Sequence, residues 1–253
     1  MKINRTAQRT VEILKLTSEN ASGISLEDIC TKLDMPKTSA YDIVTTLVHT
    51  GVMQVSKKEK QLYTIGLLSY QIGVAYTNHL DLVTVIEPVL GAFAKVSKKT
   101  IFFGVESQYE LVYLCKFEPE TPIITTATVG SKNPMYCTSL GKAILSAMSE
   151  GELKEMMRHF KFNKRTKWTI DSKEALLSDL KTVRKVGYAL DNRELEEHML
   201  CIGSPVYGNT GSVIGAISAS GLYREDEDYH EFGLEILEKA QEVSRLLGYM
   251  KAE

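Results

Sequence analysis

Long hydrophobic runs are missing from this chain of 253 residues. No stretch approaches the ~20 consecutive apolar residues needed to cross a bilayer. The opening segment MKINRTAQRT is charged and leads into no apolar core of a secretory leader, so a cytoplasmic protein is expected. Cysteines are few: Cys30, Cys115, Cys137 and Cys201 are scattered with no C-x-x-C pair, which argues against a disulfide framework. Histidines 49, 79, 159, 198 and 230 form no H-E-x-x-H or similar ligand spacing, so no metal site is expected. Neither G-x-x-x-x-G-K-[ST] nor G-x-G-x-x-G occurs, and no cofactor is expected.

A strong excess of charge is also absent. The formal net charge is −2, with 43% hydrophobic and 25% charged residues, an ordinary balance for a globular protein. It is spread unevenly: residues 1–66 hold nine Lys/Arg against seven Asp/Glu, and residues 67–253 hold twenty-one against twenty-five. Such a length accommodates two domains. The weakly basic first part suits a nucleic-acid binder of modest affinity per copy, acting as a dimer or larger.

The richest stretch is Pro36–Gly51. Ala40, Ile43, Val44, Leu47 and Val48 recur at helical spacing and form one apolar stripe. Pro36 suits the first helical turn and Gly51 a left-handed cap. The other face carries Lys37, Thr38, Ser39, Tyr41, Asp42, Thr45 and His49. Upstream, Ser25-Leu-Glu-Asp28 has the form of a helix start, and Asp34-Met35 leaves only a tight turn between two helices. This is the pattern of a helix-turn-helix, although a helical hairpin in any bundle would read similarly. Two strand-like runs follow, Val52–Ser56 and Gln61–Ile65, separated by Lys57, Lys58, Glu59 and Lys60. A basic hairpin in this order reads as a wing whose lysines meet phosphate.

Helical periodicity also marks residues 6–18, Leu67–Asp81 and Leu82–Ser97, with Pro88 awkward inside the last. The Leu67–Asp81 segment is apolar with few charges and suits a subunit contact. The period then changes. Thr100–Glu106 and Glu110–Phe117 read as a hairpin, Ile123–Val129 as a third strand, and Gly130–Cys137 as a loop. Helices are expected over Thr138–Met148, Glu150–Phe160, Ser172–Val186 and Asp228–Leu247, and strands over Ile202–Tyr207 and Ser212–Ser220. Hairpins among helices argue for an α+β domain with an antiparallel sheet.

Along Ser212–Ser220 a period of two puts Ile214, Ala216, Ser218 and Ser220 on one face. Two hydroxyls ending an apolar face either bond to neighbouring backbone or line a small polar pocket. Thr138-Ser-Leu-Gly-Lys-Ala143 starts a helix, where free N–H groups favour a small anion as readily as a plain cap. Asp191-Asn-Arg-Glu194 is a cluster of turn formers. Cys201 could act as a nucleophile only with a base, and His198 has no evident partner.

Taken together these segments resemble the IclR family of bacterial transcriptional regulators over nearly the whole chain. The resemblance is carried by Thr10-Val-Glu-Ile-Leu14, Met35-Pro-Lys-Thr-Ser39, Leu62-Tyr-Thr-Ile-Gly66, Ser139-Leu-Gly-Lys-Ala143, Gly187-Tyr-Ala-Leu-Asp191 with Glu194, Cys201 with Ser204-Pro-Val206, and Ala216-Ile-Ser-Ala-Ser-Gly221. It implies a winged helix-turn-helix over residues 1–66, a linker helix over 67–81 and a GAF-like effector domain over 82–253. It also implies a homodimer or homotetramer on a double-stranded DNA operator. A small carboxylate metabolite would sit against Ser139 and Leu140, with Asp191, Cys201, Ser218 and Ser220 completing the pocket. Lys37, Thr38, Ser39, Tyr41 and Asp42 would face the major groove, and Lys57, Lys58 and Lys60 the phosphates. Two positions depart from the family: Asp42 replaces a frequent arginine and could accept from cytosine N4, and Tyr136 replaces a frequent histidine. The competing reading is a small-molecule enzyme using Cys201 with an accessory N-terminal domain.

Overall fold

A computed structural model describes residues 3–56, 59, 61–79, 81–122 and 125–250, without the side chains of 74–79 and 81. The chain divides into two units, Met1–Asp81 and Leu82–Glu253.

In the first unit, helix α1 (Arg5–Ser18) precedes α2 (Leu26–Leu33) and α3 (Lys37–His49). Ser25 caps α2 by accepting from the Asp28 N–H, while its hydroxyl donates to the Asp28 carboxylate. Asp34 then adopts a left-handed conformation, φ 45°, which turns the chain into α3. Pro36 is extended and stands at the cap of α3, one residue before its first turn. Ala40, Val44 and Leu47 are buried with Ile13, Ile24, Ile29 and Met53, so the apolar stripe of α3 faces the core. Strands β2 (Met53–Val55) and β3 (Leu62–Ile65) pair antiparallel, and β1 (Ile24–Ser25) joins on the far side of β3, a pairing too short to announce itself by periodicity. Lys57, Lys58 and Lys60 lie outside the described residues. Helix α4 (Leu67–His79) follows the wing.

The second unit is a six-stranded antiparallel sheet, in the order β6-β5-β4-β9-β8-β7. Its strands are β4 (Thr100–Ser107), β5 (Glu110–Phe117), β6 (Lys132–Pro134), β7 (Ala189–Asn192), β8 (Met199–Tyr207) and β9 (Val213–Leu222). Helices α5 (Asp81–Ser97) and α9 (Tyr229–Leu246) build one core with Ile101, Phe103, Ile202 and Ile217. On the opposite face, α6 (Ser139–Ala147), α7 (Glu150–Arg158) and α8 (Lys173–Val186) pack with Phe102, Leu111, Tyr113 and Ala216. Neighbours in sequence thus alternate between two cores, as a sheet covered on both faces requires.

Three sequence readings are corrected. Among the described residues, 125–129 form no strand; the edge pairing with β5 is made by Lys132–Pro134, where Pro134 is tolerated because the strand has a free side. Residues Asp191 and Asn192 belong to strand β7, not to a turn cluster. The register of β8 and β9 shifts between Val206 and Tyr207, skipping Ile214. That bulge leaves Ile214 36% exposed and carries Val213 onto the α6 face, the reverse of simple alternation.

Gly203 positions the helix that matters most. A Cβ there would lie 2.8 Å from the Ser139 carbonyl carbon and 3.1 Å from the Leu140 nitrogen, so β8 is bare where the first turn of α6 crosses it. Gly203→Ala should lift α6 off the sheet and destabilise the unit by about 1–3 kcal/mol, the range for overpacking. Urea melts of the two proteins, followed by circular dichroism, measure the difference.

Candidate functional site

The first turn of α6 and the serines of β9 meet over the sheet. Asp191, Cys201, Ser220 and Thr100 stand in register on four adjacent strands, Asp191 opposite Cys201, Cys201 opposite Ser220 and Ser220 opposite Thr100. One pair further along the sheet, Ser218 stands between Gly203 and Phe102. Asp191, Cys201, Ser218 and Ser220 floor a small cavity that opens to solvent. Ser139, Leu140, Asp191, Cys201, Ser218 and Ser220, six residues anticipated from sequence, all line it.

The α6 cap leaves donors available. The Thr138 hydroxyl accepts from Gly141 N–H and its carbonyl accepts from Lys142 N–H. The N–H groups of Ser139 and Leu140 are unclaimed by that cap. The hydroxyls of Ser139 and Ser218, both on residues 2% exposed, have no hydrogen-bond partner among the described residues. Asp191 is buried, and its Oδ1 accepts from the N–H groups of Glu194, at 2.8 Å, and Leu195, at 3.2 Å. Its Oδ2 has no hydrogen-bond partner among the described residues. Desolvation, reinforced by the Glu194 charge, pushes the Asp191 carboxyl up to about 7.

Sequence reasoning passed over most of the remaining wall. Phe102 and Tyr113 meet edge to face with ring centres 5.1 Å apart. Tyr113 accepts weakly from Asn133, at 3.4 Å, and burial raises its phenol. The mouth is closed from two sides. Leu195 and Glu196 follow β7, and Thr125 and Ala127 precede β6. Glu196 Oε1 accepts from the Thr126 hydroxyl at 2.5 Å and from the Thr126 N–H at 3.3 Å, bridging the two segments. Beside this loop the Arg193 guanidinium lies 4.0 Å over the Trp168 ring and 3.8 Å over that of Tyr223.

Behind the cavity, Lys142 is 1% exposed. Its Nζ lies 2.5 Å from Glu194 Oε1 and 3.1 Å from Asp179 Oδ2. Burial alone would lower the ammonium; the two carboxylates outweigh it and hold Lys142 above its usual value. Glu194 is raised, because burial exceeds the help from Lys142. Tyr136 does not reach the cavity lining. Its hydroxyl donates to the Asn163 carbonyl and accepts from the Asn163 N–H, so at this position the chain holds the loop after α7.

The Cys201 thiol is pushed up by burial and by Asp191, far from the thiolate a nucleophile needs, and His198 pairs weakly with Glu196 at the surface. On α3, Lys37, Thr38, Ser39, Tyr41 and Asp42 are all exposed, with the Asp42 carboxylate in no ion pair among the described residues. Among the described residues no helix is long and apolar enough to cross a membrane.

A helix-turn-helix followed by a β-hairpin in one unit, and an α+β domain in the other, are the two parts of a DNA-binding transcriptional regulator. The IclR helix-turn-helix domain matches residues 6–55, and the bacterial transcriptional regulator IclR C-terminal domain matches residues 74–245. The chain belongs to the IclR family. It is 27% identical to the HTH-type transcriptional regulator XynR of Escherichia coli K12 over 98% of this chain and 99% of that one. The crystal structure of Thermotoga maritima IclR superposes with a TM-score of 0.76 at 30% identity, covering 96% of this chain and 99% of that one. An IclR homolog from Microbacterium hydrocarbonoxydans, crystallised with 4-hydroxybenzoate, shares the fold with a TM-score of 0.83 at 17% identity, covering 96% and 98%.

Lys142→Met should cost about 3–5 kcal/mol, because it strands the Glu194 carboxylate. With the cation gone, the folded-state Glu194 carboxyl rises further above its unfolded value. The variant's deficit is therefore smallest in acid and grows as pH rises through neutrality. Thermal melts from pH 5 to pH 8 test the sign; a deficit independent of pH would place Glu194's charge outside the effect.

Proposed function

We propose that residues 1–66 form the operator-binding domain, with 67–81 as linker helix and 82–253 as effector domain. In this reading Lys37, Thr38, Ser39, Tyr41 and Asp42 present α3 to base edges in the major groove. Lys57, Lys58 and Lys60 of the wing neutralise phosphates and position the domain without specifying sequence. Asp42 can accept only from a base donor such as cytosine N4, which favours an operator with a C·G pair at that position. The exposed apolar residues Leu67, Tyr70 and Ile72 of α4, with Val11 of α1, suit cover by a second subunit, and the protein acts as a homodimer or homotetramer.

The effector is a small carboxylate-bearing metabolite bound over the sheet. One observation carries this: the Ser139 and Ser218 hydroxyls and the first N–H groups of α6 converge on one small cavity, without partners among the described residues. The 4-hydroxybenzoate held by the Microbacterium homolog supports a carboxylate ligand for this fold. The ligand alters operator affinity to the extent that it binds one arrangement of the protein better than another.

Changing Lys57, Lys58 and Lys60 together to alanine should weaken binding equally on operator and random DNA. The slope of log affinity against log salt should shallow by about 2–3, near 0.9 for each lost phosphate contact. A slope equal to that of the parent would remove the wing from the DNA interface. In the effector domain, Ser218→Ala with Ser220→Ala should weaken a monocarboxylate found by calorimetric screening by roughly 10–100-fold, as expected for lost bonds to a charged group. Operator affinity without ligand should stay within about twofold. Gel-shift titrations with and without the acid read both quantities, and an intact ligand response would move the site elsewhere.

A further inference from the structure

Resting on the effector reading above, we propose that the cavity takes a singly charged monocarboxylate together with one proton on Asp191, and rejects dicarboxylates and phosphorylated acids. The described lining contains two carboxyl groups, Asp191 and Glu196, and no lysine, arginine or histidine. The nearest buried cation, Lys142, is held by Glu194 and Asp179. A ligand carboxylate therefore meets only neutral donors: the start of α6 and the serine hydroxyls. These can hold one negative charge. A second carboxylate or a phosphate would find no cation and two acids.

The carboxyls behave differently. Glu196 Oε1 is engaged twice, by the Thr126 hydroxyl and N–H. Asp191 has one oxygen engaged by two backbone N–H groups and the other free of any protein donor among the described residues. The ionisable groups around it come from every neighbouring element. Glu194 and Glu196 stand in the loop that follows its strand β7, and Lys142 stands on α6. Cys201 faces it from β8, Cys137 from the turn before α6 and Tyr113 from β5. Among these groups Lys142 favours its ionised form, as do the two backbone N–H donors, and burial with the Glu194 charge outweighs them. An entering carboxylate adds another negative charge, and two carboxylates sharing so small a site cannot both stay ionised. A proton taken from solvent onto Asp191 removes the repulsion and supplies an O–H donor to the ligand. No covalent bond of the ligand changes. Because the free carboxyl already sits near neutrality, at about 7, the proton is available at ordinary pH.

Isothermal calorimetry on the full chain tests this with C2–C8 monocarboxylates and the matching dicarboxylates, at pH 7.5 in phosphate and in Tris. The two buffers differ in ionisation enthalpy, so the difference in measured heat counts protons. Binding of a monocarboxylate should take up roughly half to one proton, since a group titrating near 7 is mostly ionised there. Affinity should be flat below about pH 6 and fall roughly tenfold per unit above about pH 8. Asp191→Asn keeps the acceptor for the two N–H groups and should bind without proton uptake or pH dependence. Monocarboxylate binding with no proton exchange, or equal binding of dicarboxylates, overturns the inference and leaves the effector reading standing. Silence across both sets overturns the effector reading and this inference with it. If Asp191→Asn fails to fold, the two-buffer experiment on the parent protein still decides.

Discussion

The close approach of the α6 first turn to the bare backbone of Gly203 sets the geometry of the second unit. A helix resting on side chains stands off from a sheet; one resting on a glycine comes nearer and brings its first N–H groups down to the strand surface. There they meet Ser218, the residue opposite Gly203, and the polar row from Asp191 to Thr100. The first seven residues of α6 are buried, which only a helix enclosed by sheet and neighbouring helices can sustain. The cavity is the space left between that helix end and the sheet.

Lys142 holds the arrangement from behind. It ties α6 to α8 through Asp179 and to the loop after β7 through Glu194, whose other oxygen accepts from Ile170 N–H at 3.4 Å. A buried ion pair is a poor source of stability compared with apolar packing, since desolvation offsets most of its attraction. What it provides is register. An ammonium with two anionic partners admits few alternative positions for α6, which carries Ser139, and for the loop that carries Leu195. The chemistry of the pocket is thus fixed by charges that stay out of it.

Much of the molecule was legible from residue order. The α3 stripe, the helix start at Ser25 and the hairpin at Gln108-Tyr109 rest on local rules, and the structure follows them. The serines of β9 were legible because two hydroxyls on an otherwise apolar face break the expected alternation. The rest was set by tertiary contacts. Strand β7 has only four residues and a polar sequence, and it exists because β8 offers an edge. The bulge at Ile214 reverses the side-chain pattern without any local signal. Lys142 drew no separate reading, since no spacing rule reveals partners 37 and 52 residues away in Asp179 and Glu194. Tyr113 and Glu196 likewise reach the cavity by strand pairing and loop closure, which periodicity does not encode.

The guanidinium of Arg193 makes the molecule report on itself. Trp168 is the chain's sole tryptophan, and its ring lies against a cation whose residue immediately precedes Glu194 and Leu195, at the rim of the cavity. A cation at 4 Å is a strong local field on an indole. Any adjustment of this rim that shifts Arg193 alters the emission colour and quantum yield of a single fluorophore, with no second tryptophan to blur the signal. The rim's occupancy can be followed in real time by ultraviolet emission from the unlabelled protein.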